Sequence, residues 1–172
     1  EGITLPESLK TIGKSAFESC RGLTSVSLPS GLIEISSRLF SYCENLTEIM
    51  IPAGVTSIGE SAFSSCRSLN GIALPESVTS IGASAFSYCE NIKEINLPSG
   101  VTEIGGSAFS GTAITEIKLP DGLKALGSAL SGCDTLESVI LPNGITEIAD
   151  NAFNGCSNLK SIELSEGITS IG

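Results

Sequence analysis

The sequence contains no histidine. That removes the Ser-His-Asp and Cys-His arrangements, in which an imidazole carries the proton, and it leaves any cysteine-based metal site without its usual nitrogen ligand. Basic residues are scarce too. Nine lysines and arginines face 19 acids, for a net charge of −10. This argues against nucleic acid, whose affinity comes mainly from Lys and Arg on phosphates, and against anionic membrane surfaces, which recruit basic clusters. No apolar run approaches the roughly 20 residues of a membrane span, so direct membrane insertion of this segment is not expected. No Gly-rich phosphate loop joins a strand to a helix. No Pro/Gly/Ser-rich linker divides the chain. Carboxylates are plentiful, but on outward positions such groups ordinarily form a solvated face. No catalytic residue, metal ligand or cofactor-binding residue is expected, and the chain reads as a non-enzyme.

What is present is a repeat. Prolines stand at Pro6, Pro29, Pro52, Pro75, Pro98, Pro120 and Pro142, with Ser165 in the next place, in steps of 22 or 23 residues. Cys20, Cys43, Cys66, Cys89, Cys133 and Cys156 keep the same beat, as do Phe17, Phe40, Phe63, Phe86, Phe109 and Phe153. Three columns in phase mark a solenoid, in which single repeats cannot bury their apolar faces but a stack can. The organisation expected for residues 1–172 is a single solenoid of seven 22–23-residue repeats with partial repeats at both ends. A fragment of a longer protein is also expected, because the ends lack the polar caps that solenoids need.

Each segment of the unit Pro75 to Leu97 has its own chemistry. Pro75-Glu76-Ser77 is turn chemistry, with proline presetting φ at the second turn position. Val78-x-x-Ile81 is β-branched and predicts a short extended piece, closed by Gly82 through a backbone angle that other residues resist. Ser84-Ala85-Phe86-Ser87-x-Cys89 predicts one helical turn with Ser84 as N-cap. In the first repeat Ser15-x-x-Glu18 matches a capping box. Ile92-x-x-Ile95-x-Leu97 alternates with polar residues and predicts a strand with one face in and one out. The cysteine column, whose remaining member is Thr112, fits small buried free thiols. Disulfides between adjacent repeats or a metal site are the alternatives.

The unit L-P-x-G-[VL]-x-x-I-G-x-x-A-F-x-x-C-x-x-L-x-x-I-x-L-P resembles the BspA-like (Treponema-type) class of leucine-rich repeats across residues 2–172. The resemblance implies an α/β solenoid: a right-handed superhelix with one parallel β-sheet, and short helical turns and extended segments on the opposite side. It also implies a cell-surface or secreted protein that binds a protein partner (host, matrix or another surface protein) through the exposed sheet face, with adhesion as its role. The alternative is a structural spacer with no partner of its own.

Strand alternation names that face. Ser25, Ser27, Glu48, Met50, Ala73, Glu94, Asn96, Glu116, Lys118, Ser138, Ile140, Ser161 and Glu163 point outward. Glu48, Glu94 and Glu116 form an acidic strip, while Met50, Ala73 and Ile140 are apolar where water is expected. The irregular repeats are further candidates. Ser36-Ser37-Arg38-Leu39 replaces Gly-x-Ser-Ala, and two repeats each drop a residue near Thr112 and Ala129, which predicts a change of curvature over residues 108–133.

Overall fold

The computed structural model describes residues 1–172 as a parallel β-solenoid without a helix. Twelve strands of two or three residues build it. They are β1 (Gly2–Thr4), β2 (Ser25–Ser27), β3 (Glu34–Ile35), β4 (Glu48–Ile49), β5 (Ser57–Ile58), β6 (Ser80–Ile81), β7 (Glu103–Ile104), β8 (Glu116–Lys118), β9 (Ser138–Ile140), β10 (Glu147–Ile148), β11 (Ser161–Glu163) and β12 (Ser170–Ile171). Every pairing is parallel and in register one repeat apart.

The strands form two series on different sides of the coil. The closing series pairs as β1-β2-β4 and again as β8-β9-β11. The single closing sheet expected from the sequence is therefore interrupted. Residues 71–74 and 93–97 lie in no strand and make no backbone–backbone hydrogen bond. Gly71, Ala73 and Asn96 stand at their outward positions, and all three are weak strand formers. The second series grows from the extended pieces after the proline turns and pairs as β3-β5-β6-β7 and β10-β12. Leu126 bridges to Ile148 beside it. Threonines at the start of this series reinforce it: Thr56 donates both its N–H and its hydroxyl to the Ile33 carbonyl, at 2.9 and 3.1 Å.

The expected helical turns are absent. Ser15, Ser61, Ser84 and Ser107 have φ between 54° and 58° except Ser61 at 53°, and Asn151 has 60°. That is the left-handed region, whereas an N-cap residue lies in the β region. The reason is where the donors go. The N–H groups of Ser61, Phe63 and Ser65 bond to carbonyls of Ala83, Ala85 and Ser87 in the next coil, at 2.9, 2.8 and 2.7 Å. Only the intervening Ala62, Ser64 and Cys66 close turns within their own coil, onto Gly59, Ser61 and Phe63. A helix needs every N–H for its own axis, and here every second one ties two coils together. The Ser15–Glu18 box does not form either, because the Glu18 carboxylate accepts from Arg38 instead, at 2.6 Å.

Two further local expectations shift. Each proline turn closes from the proline carbonyl to the N–H three residues on, as in Val78 to Pro75 at 3.0 Å. Proline thus takes the first turn position and not the second. Gly82 is required by crowding and not by its backbone angle: a Cβ there would lie 2.5 Å from the Glu60 nitrogen of the preceding coil. Gly59 and Gly105 meet the same obstacle at 2.5 and 2.3 Å.

The core is a set of columns. Phe17, Phe40, Phe63, Phe86 and Phe109 stack with centroids 5.6 to 6.0 Å apart and planes within 16° of parallel. Leu130 ends the run at the next position. The six cysteines are free. Cys43, Cys66 and Cys89 each donate S–H to the phenylalanine carbonyl of the preceding coil, at 3.0 to 3.1 Å. A small residue with a weak donor suits that place. No buried side-chain nitrogen or oxygen is left without a partner.

Candidate functional site

The pleat of the closing segments sorts their side chains. Val26, Ile49, Ile72, Ile95, Ile117 and Val139 point inward and are buried. Of the residues expected outward, Ser27, Glu48, Met50, Ala73, Glu94, Asn96, Glu116, Lys118, Ser161 and Glu163 are exposed, whereas Ser25, Ser138 and Ile140 are half-buried. Met50 stands out with 86% of its surface exposed, far more than an isolated apolar side chain requires.

Electrostatically this side carries more acids than bases, and its carboxylates are joined in no ion pair. The four ion pairs of the molecule join Arg21 to Glu44, Arg38 to Glu18, Arg67 to Glu90 and Lys160 to Glu137. None involves Glu48, Glu94, Glu116 or Glu163. Lys118 is the sole base among the outward positions named from the sequence. The four pairs lie on adjacent coils and each has at least one exposed partner, so each adds at most about 1 kcal/mol.

Two hollows mark the face. One, of about 560 Å³, opens where the closing ladder is interrupted, between residues 93–99 and 115–121. It brings together Glu94, Asn96, Glu116 and Lys118, and adds Lys93 and Asp121, which strand alternation did not select. The other, of about 870 Å³, lies over β1, β2 and β4 and is lined by Val26, Ile49, Met50, Ile51 and Pro52 with Glu7 and Ser30 at its rim. Ser30 donates its N–H and hydroxyl to the Glu7 carboxylate at 3.0 and 2.8 Å. These bonds hold the Glu7 carboxyl below the usual range, the backbone N–H contributing most. Glu7 and Ser30 each follow a proline, one repeat apart. Their pairing was open to inspection as stacked turn residues of complementary hydrogen-bonding type. Residues 71–74, with Ala73, belong to neither hollow.

Burial pushes the thiols of Cys43 and Cys89 up, to about 11 and about 12. They stay protonated and hidden, which is the opposite of an activated nucleophile. No group of three or more His, Cys, Asp or Glu is placed to hold a metal ion. No helix is long and apolar enough to cross a membrane.

Comparison with known proteins agrees with this geometry. The family model described as the BspA type leucine rich repeat region matches residues 1–112 and 79–172, in six copies. A leucine-rich repeat protein from Bacteroides ovatus is 35% identical, with a TM-score of 0.92 over 99% of this chain and 47% of its own. The T. pallidum leucine rich repeat protein is 34% identical, with a TM-score of 0.81 over 92% of this chain and 77% of its own. A leucine rich cell surface protein from Faecalibacterium prausnitzii is 28% identical, with a TM-score of 0.57 over 98% of this chain and 62% of its own. No curated protein matches. The chain spans about half the length of the B. ovatus protein. With its columns, its parallel coils and a family match along its whole length, the chain belongs to the BspA-type leucine-rich-repeat family.

Proposed function

We propose that this segment is a non-catalytic protein-binding module of a cell-surface or secreted protein, that its role is adhesion, and that its partner docks on the closing face. The observation that carries this reading is the pairing of features on one side. The carboxylates Glu48, Glu94 and Glu116 are exposed and joined in no ion pair, and Met50, two residues from Glu48, stands almost fully in water. A surface that serves only solubility has no need of an exposed methionine over an apolar hollow. A partner with a basic rim and an apolar centre complements both, the charges steering encounter and the apolar contact holding it. The F. prausnitzii relative is described as a cell surface protein, which supports the location.

The test is a panel of purified host, matrix and bacterial surface proteins immobilised for surface plasmon resonance. Binding that weakens with added salt and is lost on Met50→Ala supports the module. A chain that binds nothing in the panel while melting normally returns the reading to a structural spacer.

A further inference from the structure

The two ladders of this solenoid are interrupted in different places. On the closing side three consecutive junctions lack strand pairing: β4 to residues 71–74, those to residues 93–97, and those to β8. On the second side the rungs spanning the same stretch of chain are all made, with Ile35 opposite Ile58, Ile58 opposite Ile81, and Ile81 opposite Ile104. The turn side is continuous as well. Phe40, Phe63 and Phe86 each bond through their N–H to the next coil, at 2.8 Å. These coils are thus pinned along two sides and only sparsely tied along the third, by Asn70 N–H to the Thr47 carbonyl at 3.3 Å and Ala113 N–H to the Ile92 carbonyl at 2.9 Å.

That third side has not come apart at its core. Ile72 and Ile95 remain buried, at 9% and 7% exposure. What is missing is strand pairing and the β-branched outward side chains that normally hold neighbouring strands. A Cβ placed on Gly71 meets no atom within 4 Å, so nothing packs against that position. The 560 Å³ hollow sits at the last of these junctions, where residues 93–99 face residues 115–121. On either side of the gap stand fully laddered blocks, β1-β2-β4 and β8-β9-β11.

We propose that residues 71–97 are a flexure built into the solenoid. The β3-β5-β6-β7 ladder is its fixed side, and the two closing-side blocks tilt toward or away from one another about it. Tilting breaks no backbone hydrogen bond between residues 71–74 and 93–97, because none is present there, and the outer junctions keep only the flanking bonds from Asn70 N–H to the Thr47 carbonyl at 3.3 Å and from Ala113 N–H to the Ile92 carbonyl at 2.9 Å. Its consequence is a variable spacing between Glu48 on one block and Glu116 on the other, so one face fits partners of different curvature. The flexure stands on hydrogen bonding alone and does not depend on a partner of any kind.

Hydrogen exchange of the intact chain, resolved by residue, tests it first. Amides of residues 71–74 and 93–97 exchange within about tenfold of an unprotected peptide, while those of β9 and of β5 and β6 are protected by at least about a hundredfold more, as local openings and core strands differ. The second arm measures distances between spin labels carried on unnatural amino acids at Ser27 and Ser161, across the gap, and at Ser57 and Glu103, along the fixed side. The first pair gives the broader distribution. The triple variant Gly71→Val, Ala73→Thr, Asn96→Val supplies strand-forming residues at open, exposed positions. It gains protection at residues 71–74 and 93–97 and narrows the Ser27–Ser161 distribution. Protection in the unaltered protein equal to that of β9, or a Ser27–Ser161 distribution as narrow as the Ser57–Glu103 one, overturns the proposal. If the triple variant does not fold, these two measurements on the unaltered protein still decide.

Discussion

Phe86→Ala is the sharpest perturbation of the stack. Phe86 is 0% exposed. Its ring lies 5.6 Å from Phe63 at 3° and 6.0 Å from Phe109 at 1°. Truncating a fully buried phenylalanine costs about 3–5 kcal/mol in lost transfer energy and cavity. Each stacked aromatic neighbour adds about 0.5–1.5 kcal/mol beyond burial, and two are lost here. The backbone at Phe86 is itself tied to the next coil, its N–H donating to the Ala108 carbonyl at 2.8 Å, so the site cannot collapse far. The expected cost is therefore in the upper half of that range, about 4–5 kcal/mol. For a chain of this size that is a fall in Tm on the order of 8–20 °C. Far-UV circular dichroism during urea unfolding is the assay, with Phe17→Ala as comparison. Phe17 is only half-buried and has one stacked neighbour, so its loss costs about half as much. Each repeat is stabilised only through its neighbours, so the Phe86 variant also unfolds less cooperatively, with a smaller m-value. A cost below about 1 kcal/mol for Phe86→Ala, or equal costs at both positions, refutes the stacked-column core.

Gly82→Ala places a Cβ 2.5 Å from the Glu60 nitrogen, so it loses about 1–3 kcal/mol by overpacking in the same urea assay, whereas Gly71→Ala is nearly silent. Thiol labelling at neutral pH reaches Cys20 and Cys156 in the half-buried end coils first, and Cys66 and Cys89 only on unfolding; rapid labelling of all six under native conditions contradicts their placement. Stability falls as pH rises above the ordinary thiol value of 9.0, because Cys43 and Cys89 hold their protons up to about 11 and about 12 in the fold but lose them earlier in the unfolded chain. The combined Cys43→Ala, Cys89→Ala variant flattens that alkaline slope in pH-dependent unfolding. Glu7 works in the other direction: its lowered carboxyl favours the fold at neutral pH, and Glu7→Gln removes part of the loss seen on acidification below about pH 4.5.

The columns were legible because they are one-dimensional. Pro75, Phe86 and Cys89 recur at the repeat length, and a repeat that recurs must stack on itself. The facing of Ile95 inward and Glu94 outward follows from strand alternation and needs no neighbour. The segment Ser84 to Cys89 was misread as a helical turn for a physical reason. Apolar residues one, three and four apart suit a helix and a chain of tight turns equally. The choice is made by the N–H groups of Ser84, Phe86 and Tyr88, which bond to the next coil at 2.9, 2.8 and 2.7 Å. Such bonds join residues 22 apart and leave no mark on local composition. Gly82 was noticed for the right residue and the wrong cause, since the atom it avoids belongs to Glu60, one coil away. The interruption of the closing ladder was written only faintly, in Gly71, Ala73 and Asn96. The outward face was read almost fully. Ser25, Ser138 and Ile140 are more sheltered than alternation alone suggests, because residues of the adjoining coils pair beside them.

If the partner docks on the closing face, charge reversal there and not elsewhere removes binding. Two triple charge reversals test it, scored by surface plasmon resonance against whichever panel protein binds. One is Glu48→Lys, Glu94→Lys, Glu116→Lys on the closing face. The other is Glu34→Lys, Glu103→Lys, Glu147→Lys, exposed on the second ladder, with the same change in net charge. The account predicts that the first abolishes binding while Tm is kept, and that the second leaves binding within about threefold, as distant exposed charges do at physiological salt. Unchanged binding by the first variant, or equal loss in both, contradicts it.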